Sequence, residues 1–168
     1  MNSESIPEYK IILASNSSIR QKILEDSGIS FEVVPSEVEE EELKQSLSGN
    51  NFREYCLTLA KAKALDVSNK KKNAYVIGSD QICSYGEEIF SKPLTKENCF
   101  KTLSKLSGNT HYQNCGISIC KNGKEIWSHY AQAALTMKSL SDTEIRDYID
   151  KDEPFMACGA YRLSLIHI

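Results

Sequence analysis

Apolar residues fall in short clusters separated by polar turns, and their spacing changes along the chain. Lys10-Ile11-Ile12-Leu13-Ala14 is a short apolar run that predicts a buried strand. The polar loop Ser15-Asn16-Ser17-Ser18 follows it. Ile19, Ile23 and Leu24 then recur at helical spacing, and Gly28 is placed to end that helix. Phe31-Glu32-Val33-Val34-Pro35 predicts a second short strand. Phe52, Cys56, Leu59, Ala60, Ala64 and Val67 mark one stripe of a long helix. That helix fades into the basic turn Ser68-Asn69-Lys70-Lys71-Lys72-Asn73.

Ala74-Tyr75-Val76-Ile77-Gly78 is the most strand-like run, and Ser79-Asp80-Gln81 lies at its end. Tyr85-Gly86-Glu87 predicts a turn. The next helix starts near Thr95, shows Phe100, Leu103 and Leu106, and stops at Ser107-Gly108-Asn109. His111 to Cys120 and Lys124 to Met137 predict two strands, joined at Asn122-Gly123, a strong hairpin signal. Ser141 and Glu144 form a capping box, with Leu140 and Ile145 as its hydrophobic staple. Asp152-Glu153-Pro154 ends that last helix. Strands alternating with helices, plus one hairpin, predict an α/β fold with a mixed β-sheet and flanking helices.

Composition narrows the class. The chain has 168 residues, 40% of them hydrophobic, which suits one domain with its own core. Net charge is −3, so there is no global basic footprint for a nucleic acid. No apolar run approaches the roughly 18–20 residues of a membrane span. The polar start Met1-Asn2-Ser3-Glu4-Ser5 is unlike a secretory signal. The expectation is a soluble cytoplasmic protein with neither a nucleic acid nor a membrane as partner. The six cysteines form no C-x-x-C pair, and His111, His129 and His167 are scattered, so zinc loses its support. Reduced thiols packed as small hydrophobes are expected.

Candidate chemistry sits at four places. Ser15-Asn16-Ser17-Ser18-Ile19-Arg20 leaves a strand and opens a helix, where backbone N–H groups and a guanidinium favour an anion; a serine N-cap with a surface arginine is the plainer reading. Lys63 lies at i+4 from Leu59 on the apolar stripe, so it either snorkels outward or meets an anion inside. Asp80 follows a strand, where a carboxylate can hold a metal, activate water, or simply form a turn. Lys92, stiffened by Pro93, is either a phosphate contact or an exposed lysine. The acidic run from Glu37 to Glu42 is a solvated face or a source of oxygen ligands. Glu39 or Glu40 with Asp80 would suit Mg²⁺, which typically takes one or two carboxylates plus substrate phosphates. No G-x-x-x-x-G-K-[ST] or G-x-G-x-x-G loop is present.

Taken together, the blocks resemble the Maf family of nucleotide pyrophosphatases. They are Leu13-Ala14-Ser15-Asn16-Ser17-Ser18-Ile19-Arg20, Ser36-Glu37-Val38-Glu39-Glu40, Leu59-Ala60-Lys61-Ala62-Lys63-Ala64, Val76-Ile77-Gly78-Ser79-Asp80-Gln81, Ser91-Lys92-Pro93-Leu94, Leu106-Ser107-Gly108 and Cys158-Gly159-Ala160-Tyr161. The resemblance implies the mixed-sheet fold that the Maf family shares with inosine triphosphatases. It implies hydrolysis of a nucleoside triphosphate between its α and β phosphates, with Mg²⁺ or Mn²⁺ as cofactor and a homodimer as a common assembly. By the same resemblance Asp80 is the catalytic carboxylate, and Ser15, Arg20, Lys63 and Lys92 bind the substrate phosphates. Glu39 and Asp80 share the metal, and Ile19 and Gln81 set specificity. Gly78-Ser79-Asp80-Gln81 resembles the branch acting on 7-methyl-GTP rather than the dTTP and UTP branch. That branch often has Trp where this chain has Ile19, which offers only apolar contact. Ser91 replaces its usual Gly.

The resemblance also bears on length. Maf-like chains usually continue well past the block at Gly159-Ala160-Tyr161. The expectation is an incomplete domain over residues 1–162. The string Leu163-Ser164-Leu165-Ile166-His167-Ile168 is then a sequencing-adapter tail of residues 163–168, to be left out of fold reasoning.

Overall fold

A computed structural model describes residues 9–47 and 51–162. The tail expected over residues 163–168 lies outside them. The element order is β1 (Ile11–Leu13), α1 (Ser18–Asp26), β2 (Glu32–Val33), α2 (Glu40–Ser46), α3 (Phe52–Lys70), β3 (Tyr75–Tyr85), β4 (Glu88–Phe90), α4 (Lys96–Leu106), β5 (Thr110–Lys121), β6 (Lys124–Thr136) and α5 (Asp142–Asp152). The strands run in the order β2-β1-β3-β5-β6, with β4 paired to β3. β1 is parallel to β2 and β3, and β4 is antiparallel to β3, so the sheet is mixed as expected. No helix among the described residues is long and apolar enough to cross a membrane.

The chain divides into two compact units. The described residues up to Asp80, with Gly116–Tyr130, form the first; Gln81–Cys115 and those from Ala131 onward form the second. In the first unit, α3 lies on the sheet. Its buried residues are Cys56, Leu59, Ala60, Lys63, Ala64, Val67 and Ser68, which is the stripe the spacing predicts with Lys63 included. Two glycines let the helix come close. A Cβ on Gly78 would stand 2.2 Å from the Ala60 carbonyl oxygen, and one on Gly116 would stand 2.6 Å from the Cys56 carbonyl. Ile12, Val76 and Cys120 fill the space beside Ala64 and Val67. The hairpin turn at Asn122 and Gly123 has positive φ at both residues, as a two-residue type I′ turn requires.

In the second unit, α4 and α5 pack over Cys83 and Phe90 through Leu103, Leu106, Ile145 and Ile149. The capping box at Ser141 and Glu144 is formed in both directions. α4 is capped by Thr95, which accepts from the Asn98 N–H.

Three expectations change. The Ile19–Ile23 spacing gives helix α1, but α1 has no buried residue, and Ile19 and Ile23 are 73% and 58% exposed. The acidic run contributes a short helix, α2. The strand expected to end near Gly78 continues to Tyr85, carrying Ser79, Asp80 and Ser84 in buried positions. Those residues look like a turn in the sequence because they are polar. They remain in the strand because buried partners satisfy at least two of them: Lys63 for Asp80 and the Asn114 amide for Ser84.

Gly78→Ala is expected to cost about 3 kcal/mol, the upper range for overpacking, because the obstacle is helix backbone; urea unfolding measures it. His111 is fully buried, and that burial lowers its pKa, so the folded chain holds it neutral. The unfolded chain protonates it near pH 6.5 and therefore binds more protons in the window just below that value. Stability is expected to fall as pH drops from about 7 to about 5.5, and less steeply in His111→Gln. Denaturation midpoints across that range test it.

Candidate active site

Lys63 is 7% exposed and turns inward from α3. Its ammonium donates to Asp80 Oδ1 at 2.7 Å and lies 2.9 Å from Glu40 Oε1. Asp80 is 8% exposed, on β3, while the Glu40 side chain is partly open to solvent at the start of α2. Of the two readings of Lys63, meeting an anion inside is the one observed. Lys61, two residues earlier, pairs instead with Glu125 at 3.0 Å. A buried ammonium is tolerable because two carboxylates compensate it.

At the β1–α1 turn, Arg20 folds back on its own loop. Its guanidinium donates to Ser15 Oγ at 3.0 Å, and the same oxygen accepts the Ser17 N–H at 3.2 Å. Ser17 caps α1 by accepting from the Arg20 N–H. Both the N-cap and the ordered arginine are therefore present. Ile19 is on the open surface of α1.

The acidic run brings Glu40 to Lys63. Glu39 is exposed, one residue ahead of α2, and Glu37 pairs with Lys70 at 2.5 Å. Among the described residues no group of three or more His, Cys, Asp or Glu side chains could hold a metal by itself. Asp80 and Glu40 are oxygen donors of the kind a hard cation takes, and the Lys63 ammonium lies between them.

Two candidates lie in the second unit. Lys92 is exposed on the segment between β4 and α4. That segment is pinned: Pro93 is buried and its carbonyl accepts from the Asn98 amide at 3.1 Å, while the Leu94 N–H donates to the Phe155 carbonyl at 3.1 Å. Gln81 is exposed, and its Nε2 donates to Gln113 Oε1 at 3.0 Å. Strand alternation gives adjacent residues opposite faces, and their partners agree: Asp80 meets α3 and Gln81 meets β5. Sequence reasoning missed Gln113, Tyr161 and His111, which continue from Gln81. The signal available was the Gly159-Ala160-Tyr161 block, which had no assigned task. The cysteines are free thiols, and burial pushes Cys83 up to about 12, so it stays protonated and unreactive at neutral pH.

Fold and site define an α/β protein of mixed sheet with a buried lysine clamped between carboxylates on a strand and a neighbouring helix. The model of Maf-like proteins matches residues 10–167, and the chain belongs to that family. It is 39% identical over 160 residues to a nucleoside triphosphate pyrophosphatase of Legionella pneumophila (strain Corby), covering 95% of this chain and 80% of the relative. It is 37% identical over 158 residues to a 7-methyl-GTP pyrophosphatase of Brucella abortus biovar 1 (strain 9-941), covering 92% and 79%. Among solved structures, a HAM1 protein from Coxiella burnetii is similar at a TM-score of 0.49, with 22% identity over 75% of this chain and 70% of that one.

Lys63→Met leaves Asp80 buried without its cation. It is expected to destabilise the protein by about 3 kcal/mol, as for a broken buried ion pair. Chemical denaturation measures the loss, and a change within the ±0.5 kcal/mol usual for surface substitutions would mean that the clamp is not formed.

Proposed function

We propose that this protein hydrolyses a nucleoside triphosphate between its α and β phosphates, giving the monophosphate and pyrophosphate with a divalent cation. The observation that carries the reading is Lys63, buried and held at once by Asp80 and Glu40. Pyrophosphate hydrolysis needs positioning, charge neutralisation and an activated water, with no covalent nucleophile. Each need has a candidate group.

Asp80 is the proton acceptor for the attacking water. Lys63 engages its Oδ1, which leaves Oδ2 for that proton. Lys63 also supplies a fixed positive charge for the phosphates. Arg20, ordered by Ser15, is a second phosphate contact with fork geometry. Lys92 is proposed as a further phosphate contact on the family resemblance alone. Asp80 with Glu40 would hold Mg²⁺ or Mn²⁺; we assign Glu40 in place of Glu39 because Glu40 shares the Lys63 ammonium with Asp80. When bound, the cation neutralises phosphate charge. Ser79-Asp80-Gln81 and the Brucella relative support 7-methyl-GTP as the substrate.

Pyrophosphate release is expected from a panel of 7-methyl-GTP, GTP, dTTP and UTP with Mg²⁺ or Mn²⁺, fastest with 7-methyl-GTP, and it should stop with a chelator. Asp80→Asn is expected to lower kcat by about 10²-fold or more, the range for a lost general base. Release from none of the panel would favour a nucleotide-binding or regulatory protein, and full turnover by Asp80→Asn would remove Asp80 from the mechanism.

A further inference from the structure

The segment that leads into α2 lies along α3 and is tied to it at both ends. The Glu37 N–H donates to Asp66 Oδ2 at 2.8 Å. The Glu37 carboxylate accepts from the Lys70 ammonium at 2.5 Å, and Lys70 also lies 2.9 Å from Asp66 Oδ1. Glu40 Oε1 meets the Lys63 ammonium at 2.9 Å. Lys63, Asp66 and Lys70 are spaced three and four residues apart on α3, so they form one row on a single face of that helix. Residues 37–40 therefore make a strap along that row, and α2 continues from its Glu40 end.

The two ends differ in strength. Glu37 is held through its backbone as well as its carboxylate. Glu40 is tied to Lys63 through its carboxylate, and α2 beyond it is short. Glu40, Glu41, Glu42 and Leu43, the residues of α2 whose side chains are described, are none of them buried. A short helix with little buried surface opens at low cost once its tether is released.

The two carboxylates on Lys63 differ in the same way. The Asp80 side chain is 11% exposed and belongs to β3, whereas the Glu40 side chain is 39% exposed. Glu40 can leave Lys63 for water, but Asp80 would be stranded inside without its cation. Charge adds a reason for one of them to leave. One ammonium faces two carboxylates, so the cluster carries an excess of negative charge while both are seated. A phosphate group approaching it is repelled until a carboxylate departs. Once Glu40 has gone, Asp80 balances Lys63, and the ammonium has an N–H to donate to the phosphate.

We propose that Glu40 is an internal stand-in for a phosphate group on Lys63, and that the strap and α2 open when a phosphate takes its place. The proposal rests on the nucleotide reading above and adds a gate to the same site. Glu37 stays anchored to α3 as the hinge, Glu40 releases Lys63, and α2 moves away with it. The exchange favours an anion of higher charge than a carboxylate, because only then does Lys63 gain attraction. A phosphate group opens the strap, and acetate leaves it closed.

The test joins hydrogen–deuterium exchange of the α2 amides to calorimetric binding of inorganic pyrophosphate. It uses the intact protein with a chelator, so that no cation bridges the ligand to Glu40. Saturating pyrophosphate is expected to raise α2 exchange in the wild type about tenfold, while α3 stays protected and acetate changes neither. Glu40→Gln is expected to raise α2 exchange by the same factor without any ligand. It should also bind pyrophosphate about tenfold more tightly, the lower end of the worth of a hydrogen bond to a charged group. Glu42→Gln removes an equal charge from an exposed position of the same helix and should leave both readouts within about twofold of the wild type. Wild-type α2 exchange that does not respond to bound pyrophosphate overturns the proposal. So does unchanged α2 exchange in Glu40→Gln, or pyrophosphate affinity in that variant at or below the wild-type value. An equal gain in Glu42→Gln also overturns it, since the effect is then one of general charge. If pyrophosphate opens the strap as described but no nucleotide of the panel releases pyrophosphate, the hydrolase reading fails and the strap stands. If pyrophosphate binds to neither wild type nor Glu40→Gln, the strap proposal falls, and release from the nucleotide panel decides the hydrolase reading by itself.

Discussion

The constraint on which the first unit depends is the burial of one ammonium group. Lys63 can lie against β3 only if α3 approaches the sheet closely, and only if anions wait there. Gly78 and Gly116 meet the first condition, since a Cβ on either would strike helix backbone. Asp80 and Glu40 meet the second. Such a pair is poor evidence of stabilisation, because removing two charges from water costs about as much as their attraction returns. An apolar residue at position 63 beside an apolar residue at 80 would serve a core at least as well. Packing alone therefore does not account for the charge there.

Most of the fold was legible in the sequence because most of it follows from periodicity and turn residues. The α3 stripe, the Asn122-Gly123 hairpin and the Ser141–Glu144 capping box are local signals, and each produced the element expected of it. The misses are places where tertiary partners decide. Ile19 and Ile23 keep helical spacing, yet α1 buries nothing, because a stripe says that a face exists and cannot say whether anything covers it. β3 extends seven residues beyond Gly78. A strand with buried partners for its polar side chains carries no hydrophobic pattern to read.

The candidate site was legible as single residues and not as contacts. Lys63 stood out because a lysine broke an apolar stripe, and Asp80 because it followed a strand. Which residue of the acidic run meets Lys63 was beyond the sequence, because it turns on where α2 begins. Glu40 is the first residue of that helix and reaches Lys63. His111, Gln113 and Tyr161 were invisible as a group. His111 and Gln113 are two residues apart on β5, but Tyr161 lies 48 residues beyond Gln113, and only folding brings it to them.

The same strand therefore holds two neighbouring residues by independent means. Asp80 is fixed from α3 by an ion pair, while Gln81 is fixed from β5 and the Cys158–Tyr161 segment by neutral hydrogen bonds. The pleat that sends them to opposite faces separates their energetics as well. An ionic contact tolerates small errors of angle, since charge attracts over distance. A carboxamide reads its partner only in one of two orientations and loses that reading when it flips. The Gln81 carboxamide is therefore held by the angle of its hydrogen bond to Gln113, whereas the carboxylate beside it is held by the charge of Lys63.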